Sequence, residues 1–435
     1  MSCLVQVRLT ITNKSFLSYI PKTPDMDSHG AARTSRTART EEQRQQDFDK
    51  IKKYHQLEES IRIRASADNY DTDLFQLTSK LLGLNPEYYT IWNVRRRCLI
   101  SGLLSGPSDG SSLSKESPNT SRNDTTNPSS DYSSPSSLVA TPQGRDSPTA
   151  GKSGTIADGK GRGTSWDDTE TIKSELAFTI PLLLEFPKCY WIWKYRKWLL
   201  EQAIVRLPVA AARNIWEAEL ALASKMLTKD RRNFHAWGYR RYVVAALESP
   251  SLDGKSMAED EFAYTTGKIS HDLSNFSAWH NRSQLLLRLL EERGADDAAR
   301  KAFLEEELSF VRDALNVGPE DQSLWYYHQY MVSQIVNCAS EHTIAPALTI
   351  AERTTYVREE IDQIKDLLED YEDVKWIYES LLEYTLALKR LGEEGGENIK
   401  IEDPGKWLAK VRTLDPMRAG RWNDVERQLA QISIR

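Results

Sequence analysis

The stretch FPKCYWIWKYRKWLL, residues 186–200, indicates the fold because its pattern of aromatic and basic residues recurs along the chain. It holds three tryptophans, two tyrosines and four basic residues. Related stretches are NPEYYTIWNVRRRCL at 85–99, RRNFHAWGYRRYVV at 231–244, LSNFSAWHNRSQLL at 273–286 and PEDQSLWYYHQYMV at 319–332. A pattern that occurs five times indicates repeated architecture rather than one active site.

The five copies align on a tryptophan and share flanking positions. The tryptophans are Trp92, Trp193, Trp237, Trp279 and Trp325; three residues later come Arg95, Arg196, Arg240, Arg282 and, as an exception, His328. An aromatic residue stands three positions before the tryptophan in four copies: Tyr89, Tyr190, Phe234 and Phe276. We expect all three positions to share one helix face. The arginines are expected to bridge to carboxylates of neighbouring helices rather than to bind a ligand.

The spacing of the tryptophans predicts an all-α fold. From Trp193 to Trp325 the intervals are 44, 42 and 46 residues. A helical hairpin that recurs at this period is typical of an α-solenoid, in which stacked antiparallel helix pairs bury a shared core. Trp376 follows 51 residues later between Asp373 and Glu379, and is predicted to mark a degenerate end unit.

One interval breaks the period. Trp92 and Trp193 are 101 residues apart, and the excess lies in residues 106–165, which are dominated by Ser, Gly, Pro, Thr, Asn and Asp. Such a composition favours disorder. We therefore predict a single helical-repeat domain at 46–435, interrupted by a disordered insert at 106–165. Residues 1–45 are expected to be a disordered tail, and Met26 is an alternative start.

Composition excludes several classes of protein. The net charge of −6, with both signs interspersed, argues against a nucleic-acid-binding surface. No apolar run is long enough for a membrane span, and Arg8 and Lys14 interrupt any signal peptide. The four cysteines have neither zinc-site spacing nor a disulfide framework. We therefore expect a cytoplasmic chain that binds no metal itself.

The repeated aromatic-x-x-Trp-x-x-Arg motif resembles the repeat of protein prenyltransferase α subunits. The stretch LDPMRAGRWNDVERQL at 414–429 resembles the C-terminal end of the α subunit of the type II enzyme, Rab geranylgeranyltransferase. The resemblance covers about 46–105 and 166–435. The insert at 106–165 and His328 depart from the family pattern.

The resemblance implies a heterodimer. In this family the α subunit wraps around a β subunit, which holds the catalytic zinc and the isoprenoid cavity, so no cofactor is expected on this chain. The type II enzyme transfers C20 geranylgeranyl groups from geranylgeranyl diphosphate to C-terminal cysteines of Rab GTPases that an escort protein presents.

The resemblance also implies three site residues. The Lys and Tyr of the family's Pro-Lys-x-Tyr match Lys188 and Tyr190, and the His of Asn-Phe/Tyr-His-x-Trp matches His235. In the family these side chains approach the isoprenoid diphosphate. The equivalents of Lys188 in the other copies are Glu87, Arg232, Ser274 and Glu320. The alternatives are a solvated turn lysine and a structural histidine, and for Tyr190 the recurrence of an aromatic residue at its position favours a core residue.

Two other functions remain open from the sequence. One is the α subunit shared by farnesyltransferase and geranylgeranyltransferase type I, which act on CaaX proteins without an escort. The other is a non-catalytic helical-repeat adaptor of the tetratricopeptide kind, whose period of about 34 residues differs from the one seen here.

Overall fold

A computed structural model describes residues 40–105, 167–338, 342–395 and 404–433, and these residues form α-helices with no strand among them. The sequence predictions for residues 1–39, for Met26 and for the insert at 106–165 lie outside the described residues. The helices are α1 Glu41–Ser66, α2 Thr72–Leu84, α3 Tyr89–Cys98, α4 Asp168–Glu185, α5 Tyr190–Arg206, α6 Val209–Lys229, α7 Phe234–Leu247, α8 Ala258–His271, α9 Phe276–Glu292, α10 Asp297–Val317, α11 Gln322–Val336, α12 Ile350–Asp366, α13 Lys375–Gly395, α14 Gly405–Leu414 and α15 Ala419–Ser433.

The chain divides into two compact units, residues 1–63 and residues 64–435. The described part of the first unit belongs to α1, which begins at Glu41, inside the segment predicted as tail. A capping box explains this early start. The Gln43 N–H donates to the Thr40 hydroxyl, and the Gln43 side chain accepts from the Thr40 N–H, so two N–H groups of the first turn are satisfied.

The second unit is built from helical hairpins, as the sequence predicts. In each pair we call the first helix A and the second B: α2–α3, α4–α5, α6–α7, α8–α9, α10–α11 and α12–α13. Successive B helices also pack side by side, as α5 does on α7 and α9 on α11. The five aligned tryptophans all lie on B helices and are buried. The unit is thus an α-solenoid.

Polar caps fix where several of these helices begin. Asp71 accepts from the Leu74 N–H at the start of α2, and Asn233 accepts from two N–H groups at the start of α7. Asn275 and Asp321 cap α9 and α11 in the same way. Each such cap stabilises its helix by about 1 kcal/mol. The turns before the B helices are therefore held in one conformation.

The prediction that Trp376 marks the last unit is wrong. A further pair, α14 and α15, follows α13, and Trp422 on α15 is buried and donates to the Asp415 carbonyl at 2.9 Å. Trp422 comes 46 residues after Trp376, which is in period (422 − 376 = 46). This unit does not match the aromatic-x-x-Trp-x-x-Arg motif, because Ala419 stands where the motif has an aromatic residue and Val425 stands where it has arginine.

The two sides of the gap at 106–166 lie next to each other. The Ser105 N–H donates to the Asp168 carboxylate at 2.8 Å, and the Ser105 hydroxyl donates to the other oxygen of that carboxylate. α3 and α4 therefore follow each other in the solenoid as consecutive units do, whatever the length of the intervening sequence.

Candidate functional site

The repeated tryptophans are anchors of the turns between A and B helices. Each indole N–H donates to the backbone carbonyl six residues earlier, at 2.6–3.0 Å; the acceptors are Pro86, Pro187, Arg231, Leu273 and Pro319. Three of these carbonyls accept a second bond from the next unit, since Asn233 donates to Pro187, Asn275 to Arg231 and the Cys189 thiol to Pro86. The bond satisfies the buried indole N–H and fixes the turn before each of these B helices.

The repeated arginines join consecutive units. Arg282 on α9 forms a two-pronged pair with Glu307 on α10, with Nε–Oε2 at 2.8 Å and Nη2–Oε1 at 2.5 Å. Its third nitrogen donates to the Thr266 hydroxyl on α8 at 2.7 Å. The same arrangement, which we call the arginine fork, occurs in Arg95–Glu175, Arg196–Glu219 and Arg240–Glu261. The arginine and glutamate side chains of all four forks are buried, so they stabilise the fold and are not accessible to a ligand.

A tyrosine completes three of the four forks. Tyr195 donates to Glu175 and Tyr327 to Glu307, each at 2.5 Å, and Tyr239 bonds Glu219 in the same way. Burial, and then the neighbouring carboxylate, raises the pKa of each of these hydroxyls well above its ordinary value. The phenols therefore stay protonated donors, which a buried carboxylate requires.

His328 continues the series of forks with a different residue. It is fully buried on α11, and its Nε2 lies 2.8 Å from Glu360 on α12, at the place where the other units pair arginine with glutamate. Its Nδ1 contacts the Tyr384 hydroxyl at 2.6 Å, and Arg312 donates to the second oxygen of Glu360 at 3.2 Å. His328 therefore still joins α11 to a glutamate of the next unit, but through an imidazole instead of a guanidinium group.

The aromatic residues three positions before each tryptophan do not share the buried face. Tyr89, Tyr190, Phe234 and Phe276 are between 50% and 69% exposed, which contradicts the expectation that they and the arginines lie on one face and that Tyr190 is core. The reason is geometric. Three residues rotate a helix by about 300°, so two such steps place the aromatic residue and the arginine about 120° apart.

The structure brings the three predicted site residues together at the start of α5 and α7. The Tyr190 and His235 rings lie 6.3 Å apart between centroids. Burial lowers the pKa of His235, and the charge of Lys188 lowers it further while Glu87 opposes this. The cluster thus combines a cation, a phenol and an imidazole of lowered basicity beside two helix N-termini, where anions are favoured.

Lys188 lies in the turn before α5, and its side chain is 75% exposed. Its amine is 4.0 Å from Asp230, the turn residue of the next unit. Arg232, at the equivalent position one unit later, contacts Asp272 in the same way at 3.5 Å. Both are weak surface pairs. Lys188 is therefore able to swing toward a ligand, whereas the buried arginines are not.

Sequence comparison shows the family. The family model "Protein prenyltransferase alpha subunit repeat" matches residues 71–101, 172–203, 216–247, 258–289 and 304–335, each of which contains most of one hairpin from α2–α3 to α10–α11. The chain belongs to the protein prenyltransferase α-subunit family. The five matches are the five units that the tryptophan alignment predicts.

Several similar proteins carry the same name. The chain is 27% identical to "Geranylgeranyl transferase type-2 subunit alpha" of Saccharomyces cerevisiae over 88% of its length and 93% of that relative. It is 31% identical to the protein of that name from Schizosaccharomyces pombe over 50% of its length and 63% of the relative. With the Homo sapiens protein it shares 28% identity over 66% of its length, but spans only 38% of that relative.

One further surface of this α-subunit chain escaped the sequence reasoning. A groove of about 420 Å³ beside the Tyr190–His235 pair is lined by four cations, Arg96, Lys194, Lys197 and Arg241, and by one carboxylate, Glu201. These residues lie outside the aromatic-x-x-Trp-x-x-Arg motif, which marks the packing positions of each B helix. In the sequence they could be found from their spacing. The four cations stand one or four residues after a repeated tryptophan, on the exposed side of the B helix.

A metal-binding cluster and a membrane-spanning helix are both absent from the described ranges. No group of three or more His, Cys, Asp or Glu side chains there is placed to hold a metal ion. No helix among the described residues is long and apolar enough to cross a membrane.

Proposed function

We propose that this chain is the α subunit of a heterodimeric geranylgeranyltransferase of type II. The observation that carries the proposal is the set of five repeats in a chain that spans nearly all of a yeast relative with that name. The partner would be a prenyltransferase β subunit. The substrates would be geranylgeranyl diphosphate and the C-terminal cysteines of Rab GTPases that an escort protein presents, in the cytoplasm.

In the proposed reaction a cysteine sulfur attacks C1 of the isoprenoid, a C–S bond forms, and the C1–O bond breaks to release diphosphate. We assign the catalytic zinc of this family to the β subunit, as the family resemblance implies. The contribution of this chain would be at the leaving group, where negative charge grows as the C–O bond breaks.

Lys188, Tyr190 and His235 are the residues suited to that task. Lys188 is exposed and weakly paired, so its ammonium group can move onto a diphosphate oxygen. The Tyr190 hydroxyl can donate a hydrogen bond. The lowered pKa of His235 keeps it neutral at pH 7, so it would donate through one N–H rather than act as a second charge.

The alternatives have no observation in their favour. The relatives described above are all named as type-2 subunits, which does not favour the subunit shared by farnesyltransferase and the type I enzyme. The repeats match the prenyltransferase α-subunit family, which does not favour a tetratricopeptide-like adaptor.

The proposal is tested by co-expressing the chain with candidate β subunits and measuring isoprenoid transfer. Transfer to an escort-bound Rab, and none to a CaaX peptide, is the expected result with a type II β subunit. Transfer to the CaaX peptide without an escort would contradict the type II assignment.

The role of the cluster is tested by single-turnover transfer with two matched variants. Lys188→Ala should slow the chemical step by about 10- to 100-fold, because a charge that meets the developing diphosphate is removed. Arg232→Ala removes the cation at the same turn position one unit later and should transfer at the wild-type rate. Equal rates for Lys188→Ala and the wild type would refute the diphosphate role.

A further inference from the structure

The B helices carry a second repeated pattern on their exposed side. Counted from each tryptophan, positions −3, +1 and +4 are spaced by four and three residues and form one stripe along the helix. The stripe residues are Tyr89, Asn93 and Arg96 on α3; Tyr190, Lys194 and Lys197 on α5; Phe234, Gly238 and Arg241 on α7; Phe276, His280 and Ser283 on α9; and Gln322, Tyr326 and Gln329 on α11. All except Ser283 are exposed or half-buried.

The charge of the stripes changes along the solenoid. The stripes of α3, α5 and α7 contain Arg96, Lys194, Lys197 and Arg241, whereas those of α9 and α11 contain no lysine or arginine. The four cations line the same groove, where Glu201 is the one carboxylate. Glu201 is itself engaged, because it accepts from the Tyr242 hydroxyl at 3.1 Å. We call this region the cationic groove.

Three of the four cations of the groove are held in partly desolvated positions. Burial lowers the pKa of Lys197, Arg96 and Arg241. The Lys197 amine lies over the Tyr242 ring at 4.5 Å, and the buried Nε of Arg96 has no hydrogen-bond acceptor. An anion in the groove would compensate part of the cost of holding these cations partly out of water.

The extent of the groove indicates the size of its ligand. Arg96, Lys197 and Arg241 stand on three helices of the B layer, and neighbouring packed helices lie about 8–10 Å apart. Their helices span two such intervals, roughly 16–20 Å, so a ligand that met all three cations would cross three units, as an extended peptide can. Exposed aromatic residues, Tyr190 and Phe234, border the groove and offer apolar contacts to such a peptide.

We propose that the cationic groove docks an acidic, extended segment of the β subunit, with its carboxylates facing Arg96, Lys197 and Arg241. This inference rests on the proposed function, which supplies the β subunit as partner. The neutral stripes of α9 and α11 then meet a less charged part of the same partner. The change in charge along the solenoid would set the direction in which the partner lies.

The test compares heterodimer formation for two charge-reversal pairs in the full chain. Lys197→Glu with Arg241→Glu should weaken the Kd for the β subunit by at least about tenfold and flatten its dependence on salt, because close charge pairs dominate such contacts. The control pair is Lys225→Glu with Lys229→Glu, two exposed lysines on the A helix α6, and should bind as the wild type does.

A milder pair, Lys197→Gln with Arg241→Gln, removes the charges without adding repulsion and should give a smaller loss in the same direction. Melting curves of the isolated variants separate a binding defect from misfolding.

Wild-type affinity and salt dependence in the reversal pair, in a heterodimer that still transfers isoprenoid, would overturn this inference alone. If instead the β affinity is unchanged and binding of the escort protein is lost, the groove belongs to that partner and the inference is also wrong. No binding to any β subunit by the wild-type chain would contradict the proposed function itself.

Discussion

Replacing Arg282 with Met should destabilise the protein through the carboxylate that remains behind. The substitution removes both bonds to Glu307 and the bond to Thr266, while the methionine keeps much of the side-chain volume. Glu307 is 3% exposed, so water cannot replace the lost partner. Breaking a buried ion pair from one side costs about 3–5 kcal/mol.

Tyr327 should keep the loss of stability in Arg282→Met near the lower end of that range. Its hydroxyl still donates to Glu307, and a hydrogen bond to a charged group contributes about 1.5–3 kcal/mol. We therefore expect a loss near the lower limit, about 3 kcal/mol in the free energy of unfolding. The measurement is urea unfolding of the heterodimer followed by far-ultraviolet circular dichroism.

Two control variants test whether the loss of stability comes from the unpaired buried carboxylate of Glu307. Adding Glu307→Gln to Arg282→Met should restore most of the stability, because the buried charge disappears while an amide oxygen still accepts from Tyr327. Lys301→Met breaks an exposed pair with Glu352 and should cost less than about 1 kcal/mol. If Arg282→Met unfolds no more easily than the Lys301 variant, the fork does not stabilise the solenoid and the reasoning fails.

Three further outcomes are expected. Replacing residues 106–166 with an eight-residue Gly/Ser linker should leave a folded, active heterodimer and change the free energy of unfolding by only about 2 kcal/mol, since three halvings of a loop contribute about 0.6 kcal/mol each; loss of the complex in size-exclusion chromatography would contradict this. Lys188→Ala should raise the pKa of His235 in an NMR titration, because a nearby cation disfavours the imidazolium form, and an unchanged pKa would show that the two do not interact. Cys98 and Cys189 are buried, and burial raises the pKa of both thiols to about 11, so both should resist alkylation at pH 8 until the protein unfolds; rapid labelling of the folded protein at pH 8 would be the opposite result.

The sequence predicts the repeated hairpins well because tryptophan and arginine recur at a fixed interval on B helices. The partners of the arginines are harder to find. Glu175, Glu219, Glu261 and Glu307 lie on A helices at sequence distances of 80, 23, 21 and 25 residues from their arginines, so no constant spacing marks them. Irregular turns and the long insert absorb the differences, and only packing restores the register.

The candidate site shows where inference from a motif ends. Lys188 and His235 follow from the family pattern, and the structure places them close together. The exposure of Tyr190 does not follow from its recurrence, because a repeated aromatic residue at a helix margin reads in the sequence like a core residue. The cationic groove was missed for a related reason. Its residues come from three units, and each unit alone shows one or two basic residues, which is ordinary for a helix surface.

The arginine fork also bears on how this chain could gain or lose units during evolution. Each junction from α3–α4 to α9–α10 presents arginine on one side and glutamate on the other, so deletion or tandem duplication of a whole unit would again bring an arginine against a glutamate. The junction from α11 to α12 lacks this interchangeability, because His328 replaces the arginine and Glu360 also binds Arg312. A change in the number of units before α11 would thus preserve the arginine–glutamate match, whereas a change at the α11–α12 junction would break it.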